Sequence, residues 1–208
     1  MVEICRTVIG HSAQAAERIV VGRILVSGPP PRPWPAVIGE DGAMTISAHD
    51  REHLRRCVEL AREALAAGDE PFGSLLVAAT GEVLFEDRNR VAGGDNTRHP
   101  EFEICRWAAT HLTPADRAAA TVYTSGEHCP MCSAAHGWVG LGRIVFATSS
   151  GRLAEWLREW GAPVAPVAAL PITQVAPGVV AEGPAPEFEP EMRALYQRCF
   201  APDGPAAQ

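Results

Sequence analysis

Four residues carry chemistry by type and spacing: His99 and Glu101, two apart, and Cys129 and Cys132, three apart, beginning 30 positions after His99. Either pair alone is commonplace; their shared placement is not. Pro100 and Pro130 each open a predicted helix, where a fixed φ suits the first turn, so both pairs sit at helix N-termini. Cysteines at i and i+3 lie on one face of a helical turn and can grip one ion. The positive end of a helix lowers thiol pKa values and helps hold two sulfur anions together. His99 adds a neutral third ligand. Zn²⁺ with three protein ligands keeps one tetrahedral position for water, the arrangement of a catalytic site. The ion brings the pKa of that water to roughly 7, and Glu101, beside the metal, is placed to carry the proton.

Two other readings use the same residues. A structural zinc site closes the tetrahedron with a fourth ligand, for which His128, His136 and Cys105 are the candidates; such sites usually come as paired clusters with short internal spacings. A thioredoxin-like redox pair needs a βαβ context that does not surround Cys129 and Cys132.

The elements that position these residues follow from caps and periodicity. Ser47 with Asp50 resembles a capping box in which Asp replaces Glu. Leu54, Val58, Ala61 and Leu65 follow at helical spacing, and Gly68 suits the helix end. Ser74–Ala79, a turn at Thr80-Gly81 and Glu82–Asn89 read as a hairpin. Next come a helix from Pro100 to His111, a buried strand Thr121–Ser125 and a short helix Pro130–Trp138. A strand Arg143–Thr148, a helix Arg152–Trp160 and a closing helix Phe188–Phe200 complete the series, with a further strand near Val175–Val180. Strands alternating with helices predict an α/β layered domain with partly parallel pairing.

Of 18 prolines, five fall in 29–35 and seven in 163–190, but only four in 44–160. That distribution sets three regions. Residues 1–43 form a Pro-rich extension, read as disordered or an over-extended start, with an apolar stretch around Ile19–Val26. Residues 44–160 form the catalytic domain. Residues 161–208 form a Pro-rich tail whose helix packs on the domain or on a dimer partner.

Composition removes whole classes of function. All 18 basic residues are arginine, so neither the phosphate lysine of a P-loop nor a Schiff-base lysine is present. The net charge is −7, against the basic patch of a nucleic-acid binder. No apolar run is long enough to span a bilayer. No export signal stands at the start, so the six cysteines read as reduced thiols of a cytoplasmic protein.

His99-Pro100-Glu101 followed by Cys129-Pro130-Met131-Cys132 resembles the signature of the zinc-dependent cytidine deaminase superfamily, H-x-E with P-C-x-x-C. The resemblance covers about residues 47–160 and includes Glu70–Val77 (EPFGSLLV), Asn89 and Thr124–Cys132 (TSGEHCPMC). Within the superfamily the sequence is most similar to bacterial nucleobase deaminases of the guanine, cytosine and s-triazine types; tRNA adenosine deaminases are close relatives. The resemblance implies a three-layer α/β/α sandwich around a central mixed five-stranded sheet, with one zinc between the two motif helices. His99, Cys129 and Cys132 would bind the metal, and Glu101 would shuttle protons. Asn89 matches the asparagine that hydrogen-bonds the base, and Phe72 would stack on it or line the pocket. The implied reaction is hydrolytic loss of ammonia from the ring carbon bearing the amino group.

Two positions depart from the family pattern. Pro100 stands where alanine or valine is commoner and suits a helix start. His128 stands where proline is usual, and is either a hydrogen-bonded hinge residue or a substrate contact; both are carried as substrate-side candidates. Guanine-type members use an acidic residue further along, for which only Glu155 and Glu159 offer themselves, and this favours a pyrimidine or triazine ring. The expected partner is a small heterocyclic base, with no nucleic acid and no membrane, in a homodimer. The rival functions are a tRNA adenosine deaminase and a non-catalytic zinc-stabilised interaction module. Residues 44–160 hold 12 arginines against 16 acids and residues 161–208 two against five, which weighs against RNA.

Overall fold

The computed structural model describes residues 46–201; the expectations for residues 1–43 lie outside the described residues. Helix α1 (Ala48–Ala66) starts at the expected cap: the Asp50 amide donates to Ser47 Oγ at 3.1 Å, and the Ser47 amide donates to Asp50 Oδ2 at 2.8 Å. The hairpin forms from β1 (Gly73–Val77) and β2 (Val83–Arg88). After α2 (Pro100–His111) comes α3 (Pro114–Ala119), a short helix additional to those expected, capped by Thr113 and opened by Pro114. The series β3 (Thr121–Gly126), α4 (Pro130–Val139), β4 (Arg143–Thr148) and α5 (Ser150–Trp160) follows as the periodicity predicts.

The tail departs from expectation. Where a strand is expected near Val175–Val180, α6 (Ile172–Val175) ends and a turn follows. The strand, β5, is only Ala181–Glu182, and α7 (Glu189–Phe200) closes the chain. Hydrophobic character alone does not distinguish a short helix from a short strand, and contact with β4 decides the pairing.

The five strands form one mixed sheet in the order β2-β1-β3-β4-β5. β1 is antiparallel to both β2 and β3, whereas β3–β4 and β4–β5 are parallel. On one face α1, α5 and α7 bury Leu54, Val58, Trp156, Phe188, Met192 and Tyr196 against Leu75, Tyr123 and Val145. On the other, α2 and its neighbours bury Ile104, Cys105 and Ala108 against Leu76 and Val122. This is the expected three-layer sandwich, and β5 and α7 bring the Pro-rich tail into its sheet and core.

One buried polar cluster ties the layers. Asp50 accepts from Tyr123 Oη at 2.7 Å and from Arg143 Nη1 at 2.7 Å, and Arg143 also pairs with Glu182 at 2.6 Å. Burial opposes charge on Asp50, but the Arg143 guanidinium with the Ser47 and Tyr123 hydroxyls outweighs it and holds the carboxyl well below its ordinary range. No described helix is long and apolar enough to cross a membrane.

Candidate active site

Both motif helices begin at one place, beside the inner strands β1 and β3. His99 is the N-cap of α2 (φ −86°, ψ 137°) and Cys129 the N-cap of α4 (φ −65°, ψ 166°); neither side chain caps its own helix, so both are free for other work. Cys132 sits one turn into α4, fully buried. His99 Nδ1 lies 3.6 Å from Cys129 Sγ and 3.6 Å from Cys132 Sγ. Tetrahedral zinc with Zn–N near 2.0 Å and Zn–S near 2.3 Å separates nitrogen from sulfur by about 3.5 Å, so the three residues fit the ion by distance as well as by donor type. The ligand atoms all fall within 4.8 Å of one another, and no fourth ligand joins them among the described residues.

The electrostatics favour a metal-ready thiolate. Hydrogen bonding from Cys132, with His99 alongside, pushes the Cys129 thiol down to about 4 despite burial. Burial works against charge on His99, yet the Cys129 sulfur and the Glu101 carboxyl raise it to about 9. Cys132 moves the other way, held well up by its bond with Cys129 and by burial.

Glu101, in the first turn of α2, is 4 % exposed. Its two oxygens face different ways. Oε1 accepts from Ser74 Oγ on β1 at 2.9 Å and lies 3.0 Å from Thr124 Oγ1 on β3, whereas Oε2 lies 3.8 Å from Cys132 Sγ. Burial raises the Glu101 pKa against the pull of His99, the direction a general acid and base needs near neutral pH.

The remaining candidates divide. Asn89 is fully buried; its Oδ1 accepts from the Val91 amide at 3.0 Å, and its Nδ2 has no hydrogen-bond partner among the described residues. Phe72 is half-buried, with its ring centroid 5.4 Å from that of Tyr196, and lines the cavity beside the triad. Pro100 is buried at the first position of α2. His128 is turned toward His136: the two rings meet edge-on, with Nε2 of His128 3.3 Å from Nδ1 of His136. His136 Nε2 is 2.9 Å from the Gly142 carbonyl, which only accepts. The proton is therefore on His136 Nε2, and His128 donates to His136. Burial and the neighbouring imidazole hold His128 well below its usual pKa. Its place is a hydrogen-bonded pair, not the cavity wall.

Cys105 packs in the α2 core. Glu155 and Glu159 pair with Arg152 and Arg193, and their side chains are 58 % and 57 % exposed; neither lines the cavity. His53 is half-buried with its ring 4.7 Å from that of Tyr123.

Several residues at the site were not singled out from sequence. Ser74 and Thr124 sit inside stretches quoted for the resemblance, but only pairing β1 with β3 brings them to Glu101. Glu127 ties the metal loop to its surroundings: its carboxylate accepts from the Ser150 amide at 3.0 Å, from Ser150 Oγ at 2.8 Å and from the Ile172 amide at 2.9 Å. Tyr196 reaches the cavity from α7, more than 60 residues after Cys132, and no local pattern announces it. The cavity holds about 640 Å³ and runs from the triad along α5 to residues 161–169.

Residues 47–148 match the model of the cytidine and deoxycytidylate deaminase zinc-binding region. The chain is 33% identical over 116 residues to a probable cytosine deaminase of Schizosaccharomyces pombe, covering 56% of this chain and 70% of that protein. It is 31% identical over 110 residues to a tRNA-specific adenosine deaminase of Haemophilus influenzae, covering 52% of this chain and 64% of that one. A solved guanine deaminase from Nitrosomonas europaea shares the fold, with a TM-score of 0.58 at 21% identity over 74% of this chain and 86% of that one. With its fold, its metal triad and these matches in agreement, the chain belongs to the cytidine and deoxycytidylate deaminase zinc-binding family.

Proposed function

We propose that the protein is a zinc-dependent hydrolytic deaminase of a free nucleobase or a related amino-substituted N-heterocycle. The observation that carries this reading is Glu101, a buried carboxylate anchored by one oxygen on the sheet while the other stands 3.8 Å from a metal-ligating sulfur. A structural zinc site has no use for such a group, whereas proton transfer does. Zinc, when bound by His99, Cys129 and Cys132, supplies the Lewis acidity that makes water nucleophilic at neutral pH.

The chain's own residues do the rest. Glu101 takes one proton of the attacking water at Oε2 and delivers it to the ring nitrogen, then takes the second from the new hydroxyl on the ring carbon and passes it to the departing amine. A C–O bond forms at the ring carbon, the exocyclic C–N bond breaks, and ammonia leaves. Asn89 offers the unpartnered Nδ2 to a ring carbonyl or ring nitrogen, and Phe72 packs against the ring. Such donors, prearranged and dry, need no reorganisation during the reaction.

The reading favours a base over tRNA because, among the described residues, Arg158 is the only arginine lining the cavity, and phosphate contacts need arginine or lysine. The test is ammonia release from cytosine, 5-azacytosine, ammeline, guanine, adenine, cytidine and a tRNA anticodon stem-loop, with Glu101→Ala as control. Turnover of a free base that Glu101→Ala abolishes is the expected result. Turnover of the stem-loop alone makes the protein a tRNA deaminase. Bound zinc with no turnover of any substrate makes it a structural module.

A further inference from the structure

The cavity beside the triad has two ends of different chemistry. At the inner end, two buried hydroxyls that line it have no hydrogen-bond partner among the described residues: Thr148 Oγ1, on a residue 1 % exposed, and Tyr196 Oη, on a residue 0 % exposed. They stand close to one another through Gly126. Thr148 is the register partner of Gly126 on the adjacent strand, and a Cβ added at Gly126 would fall 2.8 Å from Tyr196 Oη. Buried polar atoms are nearly always paired, so two orphans in one cavity wall mark where a polar ligand atom belongs. Burial, with the Glu101 and Glu70 carboxyls nearby, raises the Tyr196 pKa, so its hydroxyl keeps its proton and can donate.

The outer end is apolar. Leu153, Ala154 and Leu157 of α5 form one wall. Residues 161–169 form the other, and they leave Val164 96 % and Val167 54 % exposed at the mouth. The carboxylate of Glu127, which also lines the cavity, is already engaged by Ser150 and Ile172. Arg158 lies in the last turn of α5, where its charge complements the helix's own terminal carbonyls. A bare six-membered ring fills only the inner part of a space of about 640 Å³, a size typical of sites for much larger molecules.

We infer that the substrate is an amino-substituted N-heterocycle bearing an uncharged apolar substituent. The ring's hydrogen-bonding edge meets Thr148 and Tyr196, and the substituent lies along Leu153 and Leu157 toward Val164. A ribose phosphate does not suit this outer end, because its hydroxyls and charges would be desolvated without partners. The inference rests on the deaminase reading above and narrows it.

The test uses the full-length zinc-loaded protein and two ring series, cytosine substituted at C5 or C6 and 2,4-diamino-1,3,5-triazine substituted at C6. Each carries hydrogen, butyl or carboxybutyl. Ammonia release gives kcat/KM, and calorimetry gives affinity independently of turnover. Burying a butyl chain is expected to raise kcat/KM and affinity at least about tenfold over hydrogen in one series or both, with the carboxybutyl analogue falling back. Leu157→Asp is expected to bring the butyl-to-hydrogen ratio close to one; a ratio within one variant cancels changes in zinc content or folding. Tyr196→Phe is expected to weaken all members of a series alike.

Turnover of the unsubstituted rings with no butyl preference in either series overturns this inference and leaves the deaminase reading standing. A preference for carboxybutyl also overturns it, and assigns Arg158 to a substrate anion. Butyl-selective binding without ammonia from any ring keeps the apolar site and overturns the deaminase reading. Neither binding nor turnover overturns both.

Discussion

Ser74 Oγ lies 2.9 Å from Glu101 Oε1, and Ser74 itself is 0 % exposed. The contact spans β1 and α2, and Thr124 Oγ1 on β3 completes a triangle of oxygens, 2.9 Å from Ser74 Oγ and 3.0 Å from the carboxylate. Thr124 Oγ1 is also 2.8 Å from the Gly126 carbonyl. Each hydroxyl has a single proton, so this group can serve Glu101 in either protonation state. With the carboxylate ionised, Ser74 donates to it. With a proton on Oε1, a chain can run from Glu101 to Ser74 to Thr124 to the Gly126 carbonyl.

Removing the Ser74 hydroxyl loosens the anchored oxygen without touching the metal ligands. Ser74→Ala is therefore expected to lower kcat roughly 10- to 100-fold, the cost of one hydrogen bond to a charged group of about 1.5–3 kcal/mol expressed in the barrier. KM and zinc content are expected to stay near their original values. Steady-state ammonia release with metal analysis checks this; an unchanged kcat would remove Ser74 from any positioning role.

Glu101→Gln keeps the shape and removes the proton carrier. A loss in kcat of at least about 10²-fold is expected, with zinc retained at one per chain. Cys132→Ser is expected to lose both zinc and activity, because a hydroxyl replaces a buried thiolate ligand. Metal stoichiometry by mass spectrometry separates the two outcomes.

His136 is buried and neutral, its pKa lowered by burial although the Gly142 carbonyl pulls the other way. In the unfolded chain it titrates near ~6.5. Below that pH the unfolded state binds a proton that the folded state refuses, so its stabilising contribution is complete above ~6.5 and lost as pH falls. Melting temperature is expected to be flat from pH 8 to 7 and to drop toward pH 5, with a shallower drop in His136→Gln. An identical slope in the variant would assign the pH dependence elsewhere.

Asp50 behaves with the same sign further down the scale. Its folded pKa is depressed, so its contribution is present above its unfolded pKa of ~3.9 and disappears as pH falls through the lower folded value. Asp50→Ala is expected to destabilise the protein by about 3 kcal/mol at pH 7, the low end for breaking a buried pair, since Glu182 still accompanies Arg143. Urea unfolding at pH 7 measures the cost.

Local signals settled much of this protein from the sequence. Caps and prolines place the ends of α1, α2 and α4, and short apolar runs bounded by turn signals place β1 to β4, because each depends on neighbours within a few residues. The spacing of His99, Glu101, Cys129 and Cys132 on two helix starts likewise announces a metal triad with an adjacent acid. Short elements escaped this reading: α3 and α6 span too few residues for periodicity, and β5 is defined only by what it pairs with. The tertiary structure alone decided how the triad's surroundings assemble. Ser74 and Thr124 meet Glu101 through strand pairing, and Tyr196 closes the cavity from the last helix. These contacts join residues far apart in the chain, and their partners are chosen by packing the sheet between its helix layers, a condition no short stretch of sequence encodes.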